Sequence, residues 1–401
     1  MLDLDFVRNR FPALDIPWAL MDNAGGSAPC REVIDRVREH MERLPVQRGA
    51  SYEASRDAAA AVDAGRAAAA HLFGVEQDQV VLGASSTALV NRLARVLRAG
   101  WQEGDEVVVT NVDHETNVGA WRRLEETGIV VREWRARPDT HRLEPEDLDE
   151  LLGERTRVVA FTHCSNIVGS ITDAAEAVRR ARAVGALTCV DAVAYAPHRR
   201  VDAAAIDADV YFFSLYKVYG PHVAAMAMRR EVLLAAPSPN HFFVPQDAIP
   251  NKMEPGGTTY ELVASLVGVQ SYLESLANHH GRGRDVGAAY ELMAEHEEAL
   301  VAPLLAFLAD HRSVTIVGDP SADRARRVPT VSFTVEGRKS SEITALLDER
   351  QVAARYGHFY AYRYIEDLGL LDRDGVIRAS LVHYNAPSEV SRLVEALGDV
   401  L

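Results

Sequence analysis

Four polar stretches end or follow apolar runs in the first half of the chain, and each carries groups that can do chemistry. Gly83-Ala84-Ser85-Ser86-Thr87 joins a strand to a helix with small and hydroxyl residues. Backbone N–H groups and the positive helix end suit such a junction to a phosphate, although Ser and Thr are also ordinary helix caps. Thr110-Asn111-Val112-Asp113-His114 sets a histidine just beyond a strand, Thr162-His163-Cys164-Ser165-Asn166 ends another in hydrogen-bonding groups, and Cys189-Val190-Asp191 ends a third in a carboxylate. An ionised Asp at the end of a buried strand is costly unless a cation meets it. The candidate cation is Lys217, which follows Ser214 at another strand end and is one of only three lysines, with Lys252 and Lys339, against 40 arginines. Lys252 and Lys339 lie in polar, glycine-flanked segments. Lys217 stands between the apolar run VYFFSLY and a turn, where a lysine needs a reason.

A carboxylate, a lysine, a histidine and a hydroxyl-lined loop converging on one site match the needs of pyridoxal phosphate. Its aldehyde takes a lysine as a Schiff base, its ring nitrogen needs a carboxylate to stay protonated, and its phosphate needs a cradle of neutral donors. The set and its spacing carry this reading, since each stretch alone is weak. The chain has no GxGxxG and no Walker sequence, so a dinucleotide or nucleoside triphosphate is not supported.

The elements that must position these groups are legible as alternating periods. From Val80 to about Met228, VVLG, EVVVT, RVVAFTH, LTCVD, VYFFS and AAMAMR read as strands, and helical patterns separate the first of them. That alternation predicts βαβ units and a mostly parallel sheet. Ahead of it, Arg31 to Leu44 and Tyr52 to Phe73 read as helices, the second ended by Gly74. A Pro-, Asn- and Gly-rich stretch around Pro237 to Gly257 reads as a junction. It precedes a long helical pattern from about Tyr260 to Leu308, and the strands and helices after that make a small α+β unit. The predicted division is a large cofactor-binding domain over 22–260, and a small domain over 1–21 and 261–401 with a long connecting helix.

Composition bounds the function classes. The 401 residues are 48% hydrophobic and 25% charged, proportions of an ordinary folded enzyme with room for two or three domains. The net charge of -15 is spread along the chain, which speaks against a nucleic-acid or anionic-membrane partner. The start, MLDLDFVRNRFPALD, lacks a secretory pattern, and the charge-free runs are too short to span a bilayer. Cys30, Cys164 and Cys189 are odd in number and have no metal-ligand spacing, so no disulfide framework and no metal is expected. A cytoplasmic setting is the expectation.

The segment VDAVAYAPHRRVDAAAIDADVYFFSLYKVYGPH resembles the lysine segment of the class V aminotransferases, especially the cysteine desulfurase-like proteins. The likeness runs from MDNAGGSAP through the histidine segment to EPGGTTYE, RYGHFYAYR and IRASLVHYNAPSEVSRL, nearly the whole chain. It implies an α/β fold of type I, with a mostly parallel mixed sheet in the large domain and a small α+β C-terminal domain. It implies Lys217 as Schiff-base lysine and proton shuttle, Asp191 at the pyridinium and His114 on the ring face. Asn166 would lie near the ring oxygen, with Ser86, Thr87 and Ser214 at the phosphate and Thr258 joining them from the other subunit of a homodimer with shared sites. Arg378 would clamp a substrate α-carboxylate, with Asn23 and Tyr360 also on the substrate side; the competing reading of Arg378 is an exposed strand charge.

Two departures from the resemblance matter. Tyr360 stands where desulfurases of this group carry a mobile persulfide cysteine, and Ala194 stands where a glutamine or histidine usually faces the ring oxygen. Tyrosine cannot take sulfur from a bound cysteine, so sulfur delivery is not expected. The expected reaction is therefore C–S β-lysis of an S-substituted cysteine, releasing thiol, pyruvate and ammonia. Relatives implied by the resemblance include lincosamide-pathway enzymes acting on cysteine conjugates. The alternatives are an oxygen-dependent decarboxylating deamination to an aldehyde, amino transfer or epimerisation, and a non-catalytic scaffold.

Overall fold

The computed structural model describes residues 2–401. Seven strands, β1 (Val80–Gly83), β2 (Glu106–Thr110), β3 (Val130–Trp134), β4 (Thr156–Thr162), β5 (Leu187–Asp191), β6 (Val210–Ser214) and β7 (Ala224–Met228), form the central sheet in the order β1-β7-β6-β5-β4-β2-β3. The pairs from β6 across to β3 are parallel, and β7 runs antiparallel to both β1 and β6. β6 and β7 are buried at every position. That is why these strands read as continuous apolar runs rather than as an alternation.

The two faces of the sheet separate by residue parity. Val81, Val107, Ala160, Cys189, Phe212 and Met226 point into one apolar cluster, together with Leu89, Val90 and Leu93 of the helix Ser86–Arg98. Leu82, Val108, Phe161, Val190, Phe213 and Ala225 point to the other face, where they meet the Ala-rich helix Glu53–Phe73 and the helix Leu266–His279. The small side chains of the first helix allow close approach: a Cβ at Gly65 would stand 1.9 Å from the Val263 carbonyl oxygen. That helix ends at Gly74, which takes the left-handed conformation at φ +72°.

A second, antiparallel sheet is built from β8 (Val314–Val317), β9 (Thr330–Val335), β10 (Arg355–Gly357) and β11 (Val376–Ser380), in the order β10-β11-β9-β8. Helices Ser340–Glu349 and Pro387–Gly398 and the second half of Val286–Asp310 share its apolar cluster. The short strand Ala19–Leu20 pairs with Val352–Ala353, and Ala19 and Met21 bury in this cluster, whereas Leu2, Val7, Phe11 and Leu14 bury with the large sheet.

One expectation needs correction, and two features add to the sequence reading. The helical pattern from Tyr260 to Leu308 is three helices, Tyr260–Ala264, Leu266–His279 and Val286–Asp310, because Gly281 and Gly283 adopt positive φ between the last two. Strands β3 and β10 add to the strands read from the sequence: β3 is an edge strand, exposed or half-buried up to the buried Trp134, and β10 is three residues long. Lys252, in its polar segment, is buried: its Nζ donates to the carbonyls of Leu234 (3.0 Å) and Ala236 (2.7 Å) at the end of helix Arg230–Ala235. A cation satisfying the last carbonyls of a helix is a C-terminal cap. Among the described residues no helix is long and apolar enough to cross a membrane, and no cluster of three metal-ligating side chains occurs.

Candidate active site

The C-terminal ends of the parallel strands are where ligands collect in an open α/β sheet. Here they frame a cavity lined by Ser86, Thr87, His114, Asn166, Asp191 and Lys217, with Ser214 and Ala194. Strand ends and the loops after them supply these groups, so residues 131 positions apart in the chain (217 minus 86) face one space.

Lys217 closes the one-turn helix Leu215–Lys217 after β6 and is 6% exposed. No group among the described residues accepts a hydrogen bond from its Nζ. Burial, and after it the nearby Arg378 charge, pull its pKa down to about 8 against the opposing carboxylates of Asp191 and Asp22. The amine is thus far more often neutral near neutral pH than a surface lysine.

Asp191 ends β5 and accepts the Val193 N–H at Oδ1 (2.8 Å); no group among the described residues donates to its Oδ2. Burial pushes its pKa up to about 6, against the Val193 N–H and the Lys217 charge. His114 accepts the Thr116 N–H at Nδ1 (3.1 Å), which assigns the ring proton to Nε2. Burial, then Lys217 and Arg378, lower its pKa to about 3, so the imidazole is neutral.

The hydroxyls sit at the start of the helix Ser86–Arg98. Ser85 caps it by accepting the Ala88 N–H (3.1 Å), which leaves other first-turn N–H groups free. Ser86 Oγ lies 2.8 Å from Ser214 Oγ and Thr87 Oγ1 lies 2.7 Å from Thr116 Oγ1, each pair joining the helix start to another strand end or its following turn. Asn166 donates to the Phe359 carbonyl (2.8 Å) from Nδ2, and its own carbonyl accepts from Arg378 Nη1 (3.0 Å).

Arg378 is 2% exposed, so the reading of an exposed strand charge is wrong. Phe359 lies 3.7 Å beneath its guanidinium, Asp22 Oδ1 accepts from Nη2 at 3.0 Å, and Nε is buried without a partner.

Four named residues are not brought to the cavity wall: Arg378, which lies behind it, and Asn23, Thr258 and Tyr360. Asn23 is spent inside the protein, its amide nitrogen near Leu20, Ser380 and Asn385 oxygens and its Oδ1 accepting from Tyr384. Thr258 lies beside Gly83 and Ala84 at the end of β1, its Oγ1 buried without a partner. Tyr360 is largely exposed at φ +63°, its ring 4.9 Å from that of His114. Tyr195 stacks flat on His163 at 3.7 Å and is not part of the cavity wall, which Ala194 lines.

One functional neighbour escapes sequence reasoning. Asp113, next to His114, is 3% exposed and accepts hydrogen bonds from the Thr110 hydroxyl, the Thr162 N–H and Asn117 Nδ2. Burial and the neighbouring Asp191 push its pKa up to about 8, opposed by those donors. Asp113 ties the ends of β2 and β4 together beneath the cavity. Its sequence context, an acidic residue in a polar loop, gives no sign of this.

Residues 19–393 match the family model described as Aminotransferase class-V. The chain belongs to the class V aminotransferases. The family's cofactor is pyridoxal phosphate, and the chain is a pyridoxal-phosphate enzyme of the cysteine desulfurase-like group. It is 37% identical to the aminotransferase-like protein FGM3 of Gibberella zeae, covering 99% of this chain and 98% of that one. It is 30% identical to the cysteine desulfurase-like protein ustD of Aspergillus flavus, over 100% of this chain and 91% of that one. Among solved structures, the cysteine desulfurase CsdA of Escherichia coli superposes with a TM-score of 0.84 at 25% identity, covering 100% of this chain and 98% of that one. This class V member has residues that fit the cofactor on their own chemistry: a buried amine without a partner, a buried carboxylate with one oxygen free, and hydroxyls at a helix start.

Proposed function

We propose that the protein is a C–S β-lyase acting on an S-substituted cysteine: RS–CH2–CH(NH2)–COOH plus water gives RSH, pyruvate and ammonia. The observation that carries this reading is the pairing of an unpartnered, buried Lys217 amine with the absence of an exposed thiol among the described residues. Cys30, Cys164 and Cys189 are all buried, with Cys30 and Cys164 pushed by burial up to about 12 and Cys189 well above its ordinary value. At the position expected for a persulfide cysteine stands Tyr360.

In this reading Lys217 holds the cofactor, Asp191 keeps a proton on its ring nitrogen, and His114 covers its ring. Ser86, Thr87 and Ser214 hold its phosphate, and Thr258 comes to the phosphate of a partner copy in a homodimer. Bound there, the cofactor supplies an electron sink for the charge left when a bond at Cα breaks. Arg378 holds the substrate carboxylate through charge-assisted hydrogen bonds. Lys217 Nζ in its neutral form takes the Cα proton, and loss of the β-sulfur as a thiol follows. The space beside Ala194 leaves room near the ring that a larger side chain would take.

The likeness to FGM3, described as aminotransferase-like, favours amino transfer as the second reading. Incubating cofactor-loaded protein with S-methyl-L-cysteine and identifying products by mass separates the two. Methanethiol with pyruvate supports the lyase. A sulfur-retaining keto acid with the cofactor left in its amine form overturns it in favour of transfer, and carbon dioxide with an aldehyde overturns it in favour of decarboxylating deamination.

A further inference from the structure

The segment 22–27 touches both working ends of the site. At one end, Asp22 Oδ1 accepts from Arg378 Nη2 (3.0 Å), and Asp22 Oδ2 lies 3.4 Å from Arg355 Nη1. At the other, Ser27 N–H donates to the Tyr216 carbonyl (3.1 Å) and Ser27 Oγ to the Lys217 carbonyl (2.9 Å). Between them, Gly25 N–H bonds back to the Asp22 carbonyl (2.9 Å), and a Cβ at Gly26 would meet the Tyr216 ring at 3.3 Å. The segment is stitched to the end of β11 by Asn23 N–H to the Ser380 carbonyl and Ala24 N–H to Ser380 Oγ.

Arg355 and Arg378 are directly opposed across β10 and β11. Two like charges in that register repel, and Asp22 is the anion set against both. A guanidinium has five N–H groups, and here two are taken, by Asn166 and Asp22, while Nε has no partner. Arg378 therefore keeps N–H donors for a second carboxylate with Asp22 still in place, on a side chain that is 2% exposed. Asp22 would repel that carboxylate, and it accepts from the guanidinium that lies over the Phe359 ring.

We propose that Asp22 is a positioning residue that holds Arg378 in register with Lys217, so that a substrate carboxylate on Arg378 presents its Cα proton to the lysine, and that it does so at the expense of substrate affinity. The proposal rests on the functional reading above for Arg378 and Lys217 and adds the residue that sets their relation. Gly25 supports it independently: a Cβ there would stand 2.9 and 3.1 Å from the two Asp22 carboxylate oxygens, so the glycine leaves room for that carboxylate.

Two variants separate charge from position. Asp22→Asn removes the charge with little change of shape. Gly25→Ala keeps the charge and displaces the carboxylate, at a φ that alanine tolerates since Gly25 is not among the positive-φ glycines. The probes are S-methyl-L-cysteine and 2-(methylthio)ethylamine, the same molecule without its carboxylate, each titrated into cofactor-loaded protein by absorbance, with thiol release measured separately.

Asp22→Asn is expected to bind the amino acid about tenfold more tightly and to release thiol about tenfold more slowly, with binding of the amine unchanged. Gly25→Ala is expected to slow release without the gain in affinity. Equal behaviour of Asp22→Asn and wild type, or a loss of affinity for amino acid and amine alike, overturns the proposal, the second because it is the mark of a merely structural role. If wild type binds the amino acid but releases no thiol, the lyase reading fails, and the carboxylate-selective change in binding still decides the role of Asp22. If wild type binds only another amino acid, the same comparison is made with that amino acid and its decarboxylated amine.

Discussion

Glu254→Gln probes the joint that holds the helix-start loop at the end of β1. Glu254 is 4% exposed and meets Arg66 in two parallel bonds, Oε1 to Nη1 at 2.6 Å and Oε2 to Nη2 at 2.8 Å. Its Oε1 also accepts the Leu82 N–H at 2.7 Å, one residue before the Gly83–Thr87 junction, and Arg66 Nη1 donates to the Val80 carbonyl at 2.6 Å. Glutamine keeps the shape and an acceptor for Leu82 but leaves the Arg66 charge buried without an anion. Removing one partner of a buried pair costs about 3–5 kcal/mol, much of it from the stranded charge. Urea unfolding followed by circular dichroism measures this. The double variant Arg66→Met with Glu254→Gln removes the stranded charge and is expected to recover roughly 2 kcal/mol of the loss. A single variant within ~0.5 kcal/mol of wild type, or a double variant less stable than Glu254→Gln, would refute the reasoning.

The remaining expectations concern the lysine and the thiols. The neutral Lys217 amine is the form that reacts with an aldehyde, so the rate of cofactor uptake by the apoprotein is expected to rise with pH around a midpoint near 8, and Arg378→Met is expected to move that midpoint up. Because the folded pKa lies below the unfolded value of 10.5, the unfolded chain binds more protons between the two, and the lysine's contribution to apoprotein stability rises as pH increases across that window. An uptake rate that stays flat within about one pH unit on either side of that midpoint, as measured by stopped-flow absorbance, contradicts the uptake expectation. Cys30, Cys164 and Cys189 are expected to resist iodoacetamide in the native protein and to react after unfolding, as read by intact mass. Rapid native alkylation of any of them contradicts the burial on which the exclusion of a sulfur relay rests.

The strand-end chemistry was legible because an α/β sheet puts its ligand groups where apolar runs stop, and Asp191, Ser214 and Lys217 stand at such stops. Other features were not, because they depend on partners far away in the chain. Asp113 resembles any loop acid until the Thr162 N–H, 49 residues on, donates to it. Asp22 gains its meaning only from Arg378, which lies 356 residues away. Lys252 sits among polar neighbours in sequence, yet its amine turns inward to cap the carbonyls of Leu234 and Ala236. Asn23 and Thr258 belong to motifs, but within a single chain the first is spent on structure and the second faces the end of β1. The helix break between His279 and Val286 follows from glycines whose positive φ the periodic apolar pattern conceals.

The most direct test of the account is the site of cofactor attachment. Protein loaded with pyridoxal phosphate, reduced with borohydride, digested and sequenced by mass spectrometry is expected to carry the cofactor on Lys217 alone. Attachment at Lys252 or Lys339, or no attachment at all, would contradict it.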